Sequence, residues 1–177
     1  MTSGAGTSGG FGGSAPERAV LLAQARGLTI ATGESLTAGM VAAALASVPG
    51  ASTVLRGGVV SYHRDVKAAL LGVEPELLER VGAVDAEVAR QMAMGARNGC
   101  GADIGVSTTG VAGPEAHEGK EVGTVFIGVV SAFISTVREY RFHGSRGQIR
   151  EATCAAAVML LTEALELEPA GTNGVPQ

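Results

Sequence analysis

Residues of the right types for nucleophilic chemistry crowd one short stretch, "TIATGESLTAGM", Thr29 to Met40. There Glu34, Ser35 and Thr37 sit where an apolar run gives way to an alanine-rich one. A serine just after a strand and just before a helix lies beside the unpaired N–H groups of the helix's first turn, donors able to stabilise an oxyanion. Serine and threonine are also favoured helix N-caps, so Ser35 or Thr37 can equally fill that structural role. The stretch is not the GxSxG of a hydrolase elbow, because Thr37 stands where the second glycine would be.

A nucleophilic serine needs a base. His63, His117 and His143 lie in polar loop or strand-end segments, with no Asp or Glu spacing that singles one out, and read as surface residues. Lysine is the other activator, provided burial lowers its pKa. The chain has two lysines. Lys120 stands among Glu118, Gly119 and Glu121, solvated and paired. Lys67 opens the apolar run "KAALLGV", where partial desolvation makes it the better base, with an ordinary helix-surface lysine as the alternative.

Two further stretches could meet a ligand. "STTGVAGPE", Ser107 to Glu115, brings the hydroxyls of Thr108 and Thr109 to a strand end, and Gly110 and Gly113 let backbone approach a ligand closely. It matches neither the Walker nor the dinucleotide fingerprint. In "GSRGQIRE", Arg146 and Arg150 stand one helical turn apart. Facing inward they could bind a phosphate; facing outward they form a solvated edge.

Positioning these groups falls to alternating strands and helices. The sequence predicts a helix from Pro16 stopped by Gly27, a strand over Leu28 to Ala31, and a helix over Thr37 to Val48 closed by Pro49 and Gly50. A strand with a bulge at Gly57 and Gly58 follows within Ser52 to Tyr62. Short helices are expected over Val66 to Leu71 and Pro75 to Val81, and a longer one over Asp85 to Asn98. Asp103 to Ser107 reads as a strand, Val122 to Val130 and Thr136 to His143 as an antiparallel hairpin, and Ser145 as the cap of a last helix to about Leu167. This order specifies an α/β chain, a three-layer α/β/α sandwich with a mixed β-sheet. Ligands in such sheets sit beyond the C-terminal ends of strands, which picks out the loops at Glu34 to Thr37 and Thr108 to Pro114.

Composition narrows the partners. The chain has 177 residues, 46% apolar, with a net charge of -4 and 3% aromatics. It is long enough for one core and has neither a basic stripe for nucleic acid nor stacking platforms for bases. Cys100 and Cys154 have no CxxC spacing and imply neither zinc nor a disulfide. The expected organisation is a Gly/Ser-rich tail over 1–15 without signal-peptide character, one domain over 16–167, and a loose tail over 168–177. No window suits a membrane span, so a cytoplasmic protein is expected, and a homo-oligomer is in keeping with so apolar a small α/β chain.

Taken together, "TGESLTAGMVAAALASVPGASTVLRGGVVSYHRDVKAALLGV", "TGVAGPE…VGTV" and "GSRGQIR" occur in the order found in the CinA C-terminal domain family, also known as the nicotinamide-nucleotide amidases. The resemblance spans about Pro16 to Leu165. It implies the α/β/α fold and deamidation of nicotinamide mononucleotide to nicotinate mononucleotide and ammonia, with no cofactor and no metal. It makes Ser35 the nucleophile and Lys67 the general base, places Tyr62 and Thr109 in the same site, and puts Arg146 and Arg150 in the family's GxRxxIR motif. The arginines are then expected to face the substrate's phosphate, and N–H groups opening the Thr37 to Val48 helix to hold the oxyanion. Thr37, Gly110 and Gly113 are expected at the substrate. Glu34 is expected either to hold a substrate hydroxyl or to pin the loop. The resemblance also implies the stand-alone form, without the N-terminal domain of full-length CinA. Two departures stand out: His63 and Arg64 replace the usual Ser-Asn, and the glycine-rich loop reads Gly113-Pro114-Glu115-Ala116-His117 where the family's continues as GPxGGT, removing a Gly-Gly pair and a threonine. A nucleotide-binding or partner-binding module without turnover, or an amidase for another small amide, are the alternatives.

Overall fold

The computed structural model describes residues 13–169. Most of the two expected tails, 1–12 and 170–177, lies outside the described residues. Within them α1 spans Ala15–Arg26, one residue ahead of the expected start at Pro16, with the Glu17 carboxylate accepting the Ser14 N–H at 2.7 Å and Gly27 closing the helix at φ +63°. At the other end Glu168 is buried, accepting from the Ser131 hydroxyl and, through its carbonyl, from Arg26.

The strands are β1 (Ile30–Glu34), β2 (Leu55–Val60), β3 (Ile104–Gly110), β4 (Thr124–Val130) and β5 (Ser135–Arg141). They form a single mixed sheet in the order β2-β1-β3-β4-β5. β1 pairs parallel with β2 and β3, and the β3-β4-β5 run is antiparallel. The expected bulge is present, one residue earlier than read: register shifts so that Arg56 has no partner between Leu55 and Gly57.

Helices cover both faces. On one side lie α1, α2 (Met40–Ala46) and α6 (Arg146–Leu167), which enclose the larger core with Ile30, Ile104, Val106, Ile127 and Val129. On the other lie α3 (Arg64–Leu71), α4 (Pro75–Val81) and α5 (Ala86–Gly99), packed around Ala31, Leu71, Val88 and Met92. Such burial of aliphatic surface is the main favourable term in folding. The approach of α3 to α5 depends on one glycine: a Cβ on Gly95 would lie 1.9 Å from the Leu71 carbonyl oxygen.

Strand alternation decides where the polar groups go. Ile30, Thr32 and Glu34 of β1, and Thr108 of β3, face the α1/α2/α6 side. Ser107 and Thr109 face the α5 side, donating to the carbonyls of Ala89 in α5 and of Ala83 in the turn ahead of it, each at 2.6 Å. Both strands run longer than the sequence predicted, taking in Glu34 and the Thr108–Gly110 segment. Conversely, α2 starts three residues late. Between β1 and α2 the chain reverses through Ala38 at φ +49° and Gly39 at φ +97°, a backbone that no helix can include.

Candidate active site

At the C-terminal ends of the two central parallel strands, Ser35 leaves β1 and meets Lys67 from α3. The Lys67 ammonium donates to Ser35 Oγ at 2.8 Å and to the Ser61 carbonyl at 2.7 Å, with a longer contact to the Tyr62 carbonyl at 3.4 Å. His63 caps α3, its Nδ1 accepting from Asp65 N–H, and Lys67 follows one turn later with only 1% of its surface exposed. Burial pushes the Lys67 pKa down from 10.5 to about 8, a displacement that the Glu118 carboxylate opposes. A buried lysine whose pKa is lowered toward neutrality, so that a fraction is uncharged near physiological pH, and that is hydrogen-bonded to a hydroxyl is the arrangement that lets an amine draw a proton from serine. No histidine among the described residues hydrogen-bonds Ser35, and all three are exposed, as the sequence predicted.

Above this pair opens a cavity of about 440 Å³, large enough for a mononucleotide-sized ligand. Tyr62, Thr109, Gly110, Gly113 and Arg146 line it together with Ser35 and Lys67, as do Leu36, Ala83, Val84, Glu115 and His117. Tyr62 is 56% exposed at the rim and its hydroxyl accepts from Arg146, whose guanidinium also donates to the Gly113 carbonyl. Thr109 lines the cavity, yet its hydroxyl is committed to Ala83 rather than to Ser35 or Lys67.

Three residues lie beneath the site: Thr37 and Arg150, expected at the substrate, and Glu34, in the loop-pinning role of the two expected for it. Glu34 is 1% exposed, and its carboxylate accepts from the N–H groups of Gly39, Val41 and Ala42 at 2.9, 3.1 and 2.9 Å and from the Thr32 hydroxyl at 3.1 Å. It therefore pins the loop and caps α2, whose N-cap residue, Gly39, has no side chain to do so. Thr37 is fully buried, its hydroxyl paired with that of Thr108 at 2.7 Å, and is not the helix cap. Arg150 points under the turn and donates to the carbonyls of Leu36 and Thr37 at 2.8 and 3.2 Å, away from the cavity.

This corrects the expected oxyanion donors as well. The N–H groups opening α2 are consumed by Glu34, and Ser35 N–H donates to the Thr108 carbonyl. Among the described residues the N–H groups of Leu36 and Thr37 have no acceptor, and Leu36 lines the cavity. No group of three or more His, Cys, Asp or Glu able to hold a metal occurs among the described residues.

Known proteins share this architecture. The CinA C-terminal domain family matches residues 13–165. A CinA-like protein of Frankia casuarinae is 43% identical over 162 residues, 92% of this chain and 37% of the relative. A CinA-like protein of Citrifermentans bemidjiense is 41% identical over 143 residues, 80% of this chain and 34% of the relative. The chain thus spans about a third of the length of these relatives. Among solved structures, the competence/damage inducible protein CihA of Agrobacterium tumefaciens superposes with a TM-score of 0.81 at 36% identity, covering 88% of this chain and 98% of that one. A CinA superfamily protein of Klebsiella pneumoniae gives 0.83 at 29% identity, covering 86% and 96%. The chain belongs to the CinA C-terminal domain family.

Proposed function

We propose that the protein is an amidohydrolase that deamidates nicotinamide mononucleotide to nicotinate mononucleotide and ammonia through a Ser35–Lys67 dyad. The observation that carries this reading is the 2.8 Å contact between a buried lysine, its pKa lowered to about 8, and a serine hydroxyl at the floor of an open cavity.

Neutral Lys67 takes the Ser35 proton as Oγ attacks the carboxamide carbon, forming a tetrahedral intermediate. The Leu36 N–H, free of any acceptor among the described residues and lining the cavity, is the donor assigned to the developing oxyanion. The Lys67 ammonium then protonates the departing nitrogen, the C–N bond breaks, ammonia leaves and an acyl-Ser35 ester remains. Water, losing its proton to the again neutral Lys67, attacks the ester and releases the carboxylic acid. The pyridinium ring withdraws electrons and makes this amide easier to attack than an ordinary one. Arg146, the one of the two motif arginines that lines the cavity, is assigned to the 5′-phosphate. Tyr62 holds that guanidinium at the rim.

Ammonia and nicotinate mononucleotide should appear in equal amounts when the purified protein is given nicotinamide mononucleotide. Added hydroxylamine should divert the acyl group to a hydroxamate, and Ser35→Ala should stop both. Tight binding with no ammonia release would instead identify a binding module. Glu115 and His117 on the cavity wall give reason to include a panel of other pyridine carboxamides, since faster turnover of one would reassign the substrate within the same chemistry.

A further inference from the structure

One carboxylate outside the dyad and its substrate contacts joins three elements around the base. Glu118, in the loop between β3 and β4, accepts the N–H of Ala83 in the turn between α4 and α5. It lies 3.8 Å from the Arg64 guanidinium, which opens α3 one turn ahead of Lys67, and 3.9 Å from His117. The α4–α5 turn is shaped to receive it: a Cβ on Gly82 would lie 2.2 Å from Glu118 Oε2, so a side chain there would expel the carboxylate. Ala83 is held twice, its N–H by Glu118 and its carbonyl by Thr109, and it lines the cavity itself. The His63–Arg64 stretch and the Glu115–Glu118 stretch, far apart in the sequence, meet in the folded chain.

From this we infer that Glu118, clasped by Arg64 and the Ala83 N–H over Gly82, is a positioning residue that fixes the Lys67 base and the cavity wall relative to each other. The inference rests on the Ser35–Lys67 reading of the site. The Glu118 and Arg64 side chains are 25% and 39% exposed, so the pair is screened and its effect on Lys67 is one of placement and field. The other charged or titratable groups around the base come from three elements. Tyr62, His63, Arg64 and Asp65 lie on α3 or just before it. Glu115 and His117 come from the loop, and Arg146 from α6. His63 and Asp65 are paired with each other in solvent, at 72% and 84% exposure. Glu118 is the group that raises the proton affinity of Lys67, so neutralising it must lower that affinity.

Lys67 and Lys120 are the only lysines in the sequence, so NMR titration of the intact protein carrying lysine labelled at 13Cε reads Lys67 directly, with Lys67→Met assigning the signal. In Glu118→Gln the Lys67 midpoint should move to lower pH by roughly half a unit. Gly82→Ala, which displaces the same carboxylate by a different change, should move it the same way. With nicotinamide mononucleotide as probe, the acid limb of kcat/KM should follow. A midpoint in folded Glu118→Gln that is unchanged, or that moves upward, overturns the inference. Because the titration needs no substrate, its outcome is independent of the amidase reading. A shifted midpoint in a protein that releases no ammonia would leave the clasp standing and remove that reading. Retained turnover with an unshifted midpoint would remove the clasp alone.

Discussion

In the proposed mechanism Lys67 must lose its charge before it can accept a proton from Ser35, and burial brings that loss to about pH 8. As pH falls below this value the base is progressively protonated, so amidase rate should drop about tenfold per unit on the acid side, read as log kcat/KM against pH. Lys67→Ala and Ser35→Ala should each lower kcat by about a thousandfold or more, because removing either member of such a unit disables it. Residue types alone made Ser35 and Lys67 candidates, a serine at a strand end and a lysine in an apolar segment, with a helix cap and a surface lysine as equal alternatives; the family resemblance is what paired them, and the fold brings them to 2.8 Å. Glu34 was not legible to the same degree. Its carboxylate caps a helix five to eight residues ahead in the chain, a reach outside the local capping rules, and the hint available in the sequence was Gly39, an N-cap without a side chain. Glu118 was hidden for a related reason. Beside Lys120 and Glu121 it reads as a solvated loop charge, and only the fold brings Arg64 and Ala83 to it, while Lys120 instead lies over the Phe126 ring.

At the level of elements, the β1–α2 turn is held from three sides: Glu34 from the strand, Thr108 from β3 through Thr37, and Arg150 from α6. Glu34→Gln places an amide NH2 among backbone donors and leaves one or more buried N–H groups without an acceptor. It should cost about 2 kcal/mol of stability, measured by urea unfolding. The same network explains why periodicity misplaced the helix start at Thr37. Apolar spacing continues across the turn, but positive φ at Ala38 and Gly39 breaks the backbone there. Strand ends were misread for the opposite reason, since Glu34 and Thr108 to Gly110 are polar or small yet continue the ladder. Gly95 tests the packing of α3 on α5. Gly95→Ala drives a methyl against the Leu71 carbonyl and should destabilise the fold by about 2 kcal/mol, in thermal or denaturant unfolding, despite the better helix propensity of alanine.

Across the whole molecule, alternation of strands and helices sufficed to specify the layered sheet and its late antiparallel hairpin, because each element buries one apolar face. Folding around a lysine leaves a signature in stability. Lys67 binds its proton more weakly in the folded chain, at about 8, than in the unfolded chain near 10.5. Between those values the unfolded state holds more protons, so stability gains from rising pH. The difference in unfolding free energy between wild type and Lys67→Met should therefore change in favour of wild type by about 3 kcal/mol from pH 7 to pH 10.5. A flat difference would mean that the lysine is solvated in the folded protein. A Ser35–Lys67 amidase stands or falls on ammonia release from nicotinamide mononucleotide at pH 8 to 9, with wild type, Ser35→Ala and Lys67→Ala compared at equal folded concentration. Sustained release by wild type and about a thousandfold less from each variant is the expected result; variants that turn over at the wild-type rate would contradict it.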